Sequence, residues 1–273
     1  MNKKLLIFAA FLCIFYFGIP AEAGEKRYIS LAPSTTEILF ALGLDKEIVG
    51  ISTFCNYPPQ VKDKIRVGTF SYPDTEKIIA LKPDIVFCTG LEQAVTITKL
   101  KQLKLTVFVS DPSNMQELFQ SIIGIGKTTG RLKEAQDLVS NMKKQIQNID
   151  TRNTNKPKVF IEIWNTPLMT AGGASFINEL ISIAGGINIA EDINKAYLYL
   201  SPEQVVSRNP DYIILTYMSG EQPDKALQRR IGWKDISAVK NNHVYNDIDP
   251  DLLIRPGPRM VEGIKELNKR IHQ

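Results

Sequence analysis

The sequence predicts an α/β protein of two similar halves with a ligand cleft between them. Three observations carry that prediction. Short apolar strands alternate with helical stretches in both halves, the pattern of a mainly parallel sheet with covered faces. One unit recurs in each half: Glu76 is followed by Pro83-Asp84 and Glu203 by Pro210-Asp211 at the same spacing, and each Pro-Asp opens an apolar strand. A long amphipathic stretch separates the halves, with no Gly- or Ser-rich linker beside it. Repetition at the scale of a lobe implies two lobes, with the two glutamates in matching places.

The elements follow in order. A first strand is expected at Tyr28-Ile29-Ser30-Leu31, then a helix entered through Ala32-Pro33-Ser34, with Ser34 and Glu37 at the spacing of a capping box and Gly43 as its stop. Strands follow at 48–51, 85–88 and 106–109. One helix is predicted over 115–127 and a longer one over 132–149, where Leu132, Ala135, Leu138, Val139, Met142, Ile146 and Ile149 share a face. The second half brings strands at 158–163, 187–190, 212–216 and 243–246. It also has a helix over 176–184 and a closing helix from Arg259 to Ile271. The helix Phe176–Ala184, with Glu179 and Gly185, echoes Glu37 and Gly43 of the first half. The expected division is a leader over 1–23, a first lobe over 24–129, a connecting helix over 130–152 and a second lobe over 153–273.

Residues 1–23 read as an export signal. Lys3 and Lys4 precede the apolar run Leu5–Phe17, which is shorter than the roughly 20 residues of a spanning helix, and Ala21-Glu22-Ala23 supplies a cleavage site. Cys13 follows Ala10-Phe11-Leu12, whose bulk does not suit lipid attachment, so a soluble periplasmic product is expected. The formal charge of +4 over 273 residues is too weak to point to nucleic acid. Cys55 and Cys88 are expected as two free, partly buried thiols, with a disulfide as the alternative.

Catalytic signals are scarce. The chain has two histidines, His243 and His272, neither beside a nucleophile, and no Gly-x-Ser-x-Gly elbow. Gly126-Lys127-Thr128 lacks the upstream glycine of a phosphate loop, since position 121 is serine. Two histidines do not furnish a metal centre. Aromatic and apolar residues at strand ends remain, where parallel α/β lobes bind ligands. These are Phe54, the Phe70-Ser71-Tyr72 turn, Thr89, Tyr197, Tyr199 and the loop Asp249–Arg255. Together they suggest a broad, mostly apolar cleft.

The stretches Ser30–Gly43, Val49–Pro59, Ala80–Asp84 and Arg255–Arg259 resemble the periplasmic cobalamin-binding proteins of ABC importers. The first is shared with the wider family that carries ferric siderophores and haem. The resemblance implies two Rossmann-like lobes bridged by one long helix, no catalysis, no cofactor and cobalamin as the transported ligand. It implies ligand contacts from Phe54, Phe70, Thr89, Tyr197 and the loop Asp251, Leu252, Leu253, Ile254 and Arg255. Phe54, Phe70, Tyr197 and Thr89 stand at aromatic positions of that family, and Leu252 and Leu253 replace aromatics. Glu76 and Glu203 fall where a glutamate on each lobe meets arginines of the permease in the permease–ATPase complex. A monomeric carrier is expected. The rival readings are a ferric-siderophore or haem carrier of the same fold and, more remotely, an exported hydrolase.

Overall fold

The computed structural model describes residues 25–151, 156–217, 227 and 229–273. The expected leader lies outside these residues. Among the described residues no helix is long and apolar enough to cross a membrane.

The first lobe is built on β1 (Tyr28–Ser30), β2 (Ile48–Ile51), β3 (Ile85–Cys88) and β4 (Val107–Val109), all parallel in the order β2-β1-β3-β4. Its helices are α1 (Pro33–Ala41), α2 (Thr75–Ala80), α3 (Ala94–Gln102) and α4 (Met115–Thr129). Helix α5 (Leu132–Gln147) leads to the second lobe, ending at Asn148 just short of the expected limit. That lobe holds β5 (Lys158–Asn165), β6 (Leu168–Ala171), α6 (Phe176–Ile183), β7 (Ile187–Asn188), β8 (Tyr197–Tyr199), α7 (Pro202–Arg208), β9 (Tyr212–Leu215) and β10 (Val244–Tyr245). A short helix Asp251–Ile254 and the C-terminal helix Met260–Ile271 follow.

The second sheet differs from the sequence expectation. Its order is β10-β9-β5-β6-β8, with β7 also on β5, and β6 runs antiparallel to both β5 and β8. The first sheet is thus wholly parallel and the second mixed. β6 and β8 were not expected: each is three or four residues long, too short for an alternating pattern to stand out.

The capping box expected at Ser34 and Glu37 is absent. Ala32 is the N-cap and Pro33 opens the helix, which places the Ser34 hydroxyl inside the first turn instead of ahead of it. Glu37 is buried and turned to another task, described below.

The repeated unit has a shared structural basis. Both glutamates occupy the second position of their helices, after the N-caps Asp74 and Ser201, which accept from Lys77 N–H and Gln204 N–H. Lys82 and Asn209, each just before the proline, have φ of 45° and 44°, the left-handed turn that ends the helix. Asp84 then donates its backbone N–H to the Arg27 carbonyl and accepts the Arg27 N–H on its carboxylate, both at 2.8 Å. Asp211 does the same with Lys158, also at 2.8 Å. The Pro-Asp therefore ties the new strand to the first strand of its lobe.

Each sheet puts alternate residues on opposite faces. In the first, Tyr28 and Phe87 face inward while Ile29, Val86 and Cys88 form an outer cluster. In the second, Val159, Ile161 and Ile214 face inward while Phe160, Ile213 and Leu215 pack with Trp233. The inward faces join one continuous core that includes α4, α5, α6 and the C-terminal helix. Gly126 serves this core: a Cβ there would meet Ala135 Cβ at 2.4 Å, so the glycine lets α4 and α5 approach closely.

Candidate functional site

A cavity of about 490 Å³ opens between the lobes, within the range of small-molecule sites. The first lobe supplies Phe54, Phe70, Ser71, Thr89 and Glu92, with Ser34 at the start of α1 and Asp111 and Ser113 ahead of α4. The second supplies Phe176 and Ile177 at the start of α6, Tyr197, and the run Leu253 to Pro256 with Met260. Helix N-termini from both lobes thus face the space and favour hydrogen-bond acceptors on a ligand.

Two hidden groups shape the first-lobe wall. Arg66 donates to the carbonyls of Ser52 (3.0 Å) and Cys55 (2.7 Å), and the Cys55 thiol is buried beside Thr36 and Ser52. The loop is fixed from behind, which leaves the Phe54 ring 55% exposed at the mouth. Gln93, 1% exposed, donates to the carbonyls of Leu31 (3.2 Å) and Phe70 (2.8 Å) and accepts from Thr89 N–H (2.9 Å). One amide side chain therefore ties three cavity loops together. The sequence offered no signal for it, because its partners are backbone groups far away along the chain.

Charge in the wall is sparse and mostly negative. Asp111 accepts from Thr89 Oγ1 at 3.0 Å and lies over Gly90, where any Cβ would collide with it. Burial raises the pKa of the Tyr197 hydroxyl, and Glu92 and Asp111, facing it across the cleft, raise it further. Arg255 is the basic member of the lining. It is engaged already, paired to Asp251 at 2.9 Å and donating to Asn56.

Of the nine ligand contacts that the resemblance implies, seven line the cavity: Phe54, Phe70, Thr89, Tyr197, Leu253, Ile254 and Arg255. Ser71 joins them, whereas Tyr72, Tyr199 and Asp249, also expected at the cleft, stand outside its lining. Two of the nine do not line it. Asp251 turns away to hold Arg255 and to accept from Asn56 at 3.1 Å. Leu252 is buried against the C-terminal helix, where its carbonyl crowds Gly263. Glu92, Asp111, Phe176 and Met260 were missed, since nothing in their local sequence marks them as lining. Glu76 and Glu203 lie outside the cavity, exposed on α2 and α7. Bonds to its own backbone N–H and to Ser201 hold the Glu203 carboxyl below its usual range.

The lobes are latched beneath the cavity. Glu37 of α1 accepts from Arg259 Nε (3.0 Å) and Nη2 (2.8 Å), and the guanidinium also lies 3.9 Å over the Tyr57 ring. Its counterpart in the second lobe, Glu179 of α6, accepts from Met115 N–H at the start of α4 (2.7 Å). The two echoed glutamates thus reach across in opposite directions. Asn56 adds a third link to Asp251 and Arg255.

Cys55 and Cys88 are free and buried. Burial pushes the Cys88 thiol up to about 12 and raises that of Cys55 as well. His243 stacks on Tyr212 and His272 bonds the Ala184 carbonyl, and both line a separate cavity in the second lobe. Among the described residues no group of three or more His, Cys, Asp or Glu is placed to hold a metal ion.

Two α/β lobes sharing a core, with an apolar cleft at their meeting, define a solute-binding protein of the kind that serves membrane transporters. The chain belongs to the periplasmic binding protein family, whose model matches residues 29–252. It is 37% identical over 257 residues to an uncharacterized ABC transporter substrate-binding lipoprotein, YvrC, of Bacillus subtilis, covering 90% of this chain and 80% of that one. It is 27% identical to the vitamin B12-binding protein of Vibrio cholerae, over 96% of each. Among solved structures, a possible iron-binding protein of Staphylococcus epidermidis matches with a TM-score of 0.80 and 32% identity, covering 90% of this chain and 98% of that one. Staphylococcus aureus IsdE, solved with haem, matches at 0.78 and 26%, covering 92% and 100%.

Proposed function

We propose that this protein captures cobalamin or a related corrinoid outside the cytoplasm and delivers it to an ABC importer. The observation that carries this reading is the character of the cavity wall. Aromatics come from both lobes, Phe54 and Phe70 from one and Tyr197 from the other, while Glu92 and Asp111 outnumber the already paired Arg255. Such a wall suits a bulky ring of low net charge, with apolar faces for the aromatics and rim amides for the helix N-termini and the serines. The propionates of haem, or the anionic groups of many ferric siderophores, ask for more free basic side chains than this lining holds. The vitamin B12-binding relative supports the same choice, and the haem-bound one keeps haem as the rival cargo.

Binding is the whole activity in this reading. The cavity pairs no nucleophile with a histidine base, since both histidines lie elsewhere. The protein acts as a monomer, released by cleavage of its leader. The lipoprotein description of the Bacillus relative sets the competing arrangement, a lipid at Cys13, which the mass of the exported protein decides.

Equilibrium dialysis against cyanocobalamin tests the sandwich. Phe54→Ala and Tyr197→Ala should each weaken binding roughly 5- to 30-fold, from lost apolar area and ring contact. Unchanged affinity in both would remove the aromatic cleft from the account.

A further inference from the structure

We infer that Tyr72 and Tyr199 are a second matched pair of contacts for the importer, set along the chain between a cleft aromatic and the glutamate of each lobe. The inference rests on the reading of Glu76 and Glu203 as residues that face the permease. It comes from extending the repeat upstream. Six positions before each glutamate stands an aromatic that lines the cavity, Phe70 or Tyr197. Four positions before stands a tyrosine, Tyr72 or Tyr199, 84% and 63% exposed. Two positions before stands the helix cap, Asp74 or Ser201. The order along the chain, cavity aromatic, tyrosine, helix cap and glutamate, is the same in both lobes.

Backbone architecture does not account for the match. Tyr72 sits in a tight turn, its N–H donating to Thr69 Oγ1 (3.0 Å) and its carbonyl accepting from Thr69 N–H (3.2 Å). Tyr199 sits in the edge strand β8, opposite Met169 of β6. Two unlike backbones therefore carry the same exposed residue type at the same position of the repeat, and neither ring belongs to the core. A lone exposed aromatic needs no explanation, but two in register with the repeat do.

The chemistry names the partner. Tyrosine is enriched at interface hot spots because it gives a rigid ring and a polar tip. Four residues ahead of an exposed carboxylate, it suits a partner's basic side chain, which would pair with the carboxylate while its stem or guanidinium lies on the ring. Each lobe carries one such Tyr–Glu set, so the partner presents the complementary feature twice. Two equivalent permease subunits, each offering a basic loop, provide that symmetry.

The test measures binding of the full-length protein to the permease–ATPase complex of its own cell, reconstituted in nanodiscs. Tyr72→Ala and Tyr199→Ala should each weaken the complex roughly 5- to 30-fold, with Tyr→Phe close to wild type. The tyrosine effect should persist as salt rises, whereas the effect of Glu76→Ala and Glu203→Ala should fade. Affinity for cyanocobalamin and the melting temperature should stay unchanged in all of them. If the double tyrosine variant binds the importer like wild type while the double glutamate variant does not, the inference fails and the docking reading stands. If wild type and the double glutamate variant bind alike, the docking reading fails and takes the inference with it. A loss of cyanocobalamin affinity as large as the loss of importer binding assigns the tyrosines to the cargo and overturns the proposal.

Discussion

Arg259→Ala should be the most damaging single substitution at the boundary between the lobes. Its guanidinium makes two bonds to the Glu37 carboxylate, at 3.0 and 2.8 Å, and the two side chains are 13% and 4% exposed. Water cannot replace a partner at that depth, so removing the arginine strands a buried carboxylate at a cost of about 3–5 kcal/mol. Loss of the contact with the Tyr57 ring adds to it, about 0.5–2 kcal/mol. Glu37→Ala should cost less, about 2–3 kcal/mol, because Arg259 keeps Tyr57 and Asp249, the latter at 3.5 Å. The double variant should be more stable than Arg259→Ala alone, since no stranded charge remains. At about 2–4 °C per kcal/mol for a chain of this length, the arginine variant should melt about 7–28 °C lower. Urea unfolding followed by near- and far-ultraviolet dichroism measures this and checks that the lobes unfold together. An arginine variant within about 1 kcal/mol of wild type, or no worse than the glutamate variant, would refute the latch.

Three further outcomes are expected. Asp84→Ala and Asp211→Ala should each lower stability by about 1–3 kcal/mol in chemical denaturation and leave ligand affinity intact, because both clamp strands and neither lines the cleft; loss of ligand binding without loss of stability would contradict the clamp. Cys55 and Cys88 should resist iodoacetamide at pH 8 in the folded protein and label fully in urea, read by mass spectrometry. Rapid labelling of the native protein would show that they are not buried thiols. Glu76→Ala with Glu203→Ala should bind ligand normally and impair transport by the reconstituted importer, with the defect shrinking as ionic strength rises; equal transport would remove the docking role.

What was legible in the sequence was whatever repeats or alternates. The parallel strands of the first lobe, α4, α5 and the closing helix stood out by period, and the Glu…Pro-Asp unit by its recurrence. Its deeper content was not readable: that Asp84 and Asp211 bind the first strand of each lobe depends on pairs more than fifty residues apart. Ser34 and Glu37 misled because capping-box spacing was satisfied while Pro33 had already opened the helix. The aromatic lining was found because strand ends carry ligands in such lobes. Gln93, Asp111 and Met260 were not, since each acts through contacts with distant loops. In the Asp251–Arg255 loop, register decided the outcome. A one-turn helix sends Leu253, Ile254 and Arg255 towards the cleft, Leu252 into the core and Asp251 onto Arg255.

The claim that the cleft takes a bulky ring of low net charge is tested most directly by calorimetric titration of the purified protein. The ligands are cyanocobalamin, haemin and a ferric hydroxamate, each under the same buffer and salt. Cyanocobalamin should bind saturably and one-to-one at micromolar concentration or below, with haemin and the hydroxamate weaker. Silence with cyanocobalamin, and tight binding of haemin or the ferric hydroxamate in its place, would contradict it.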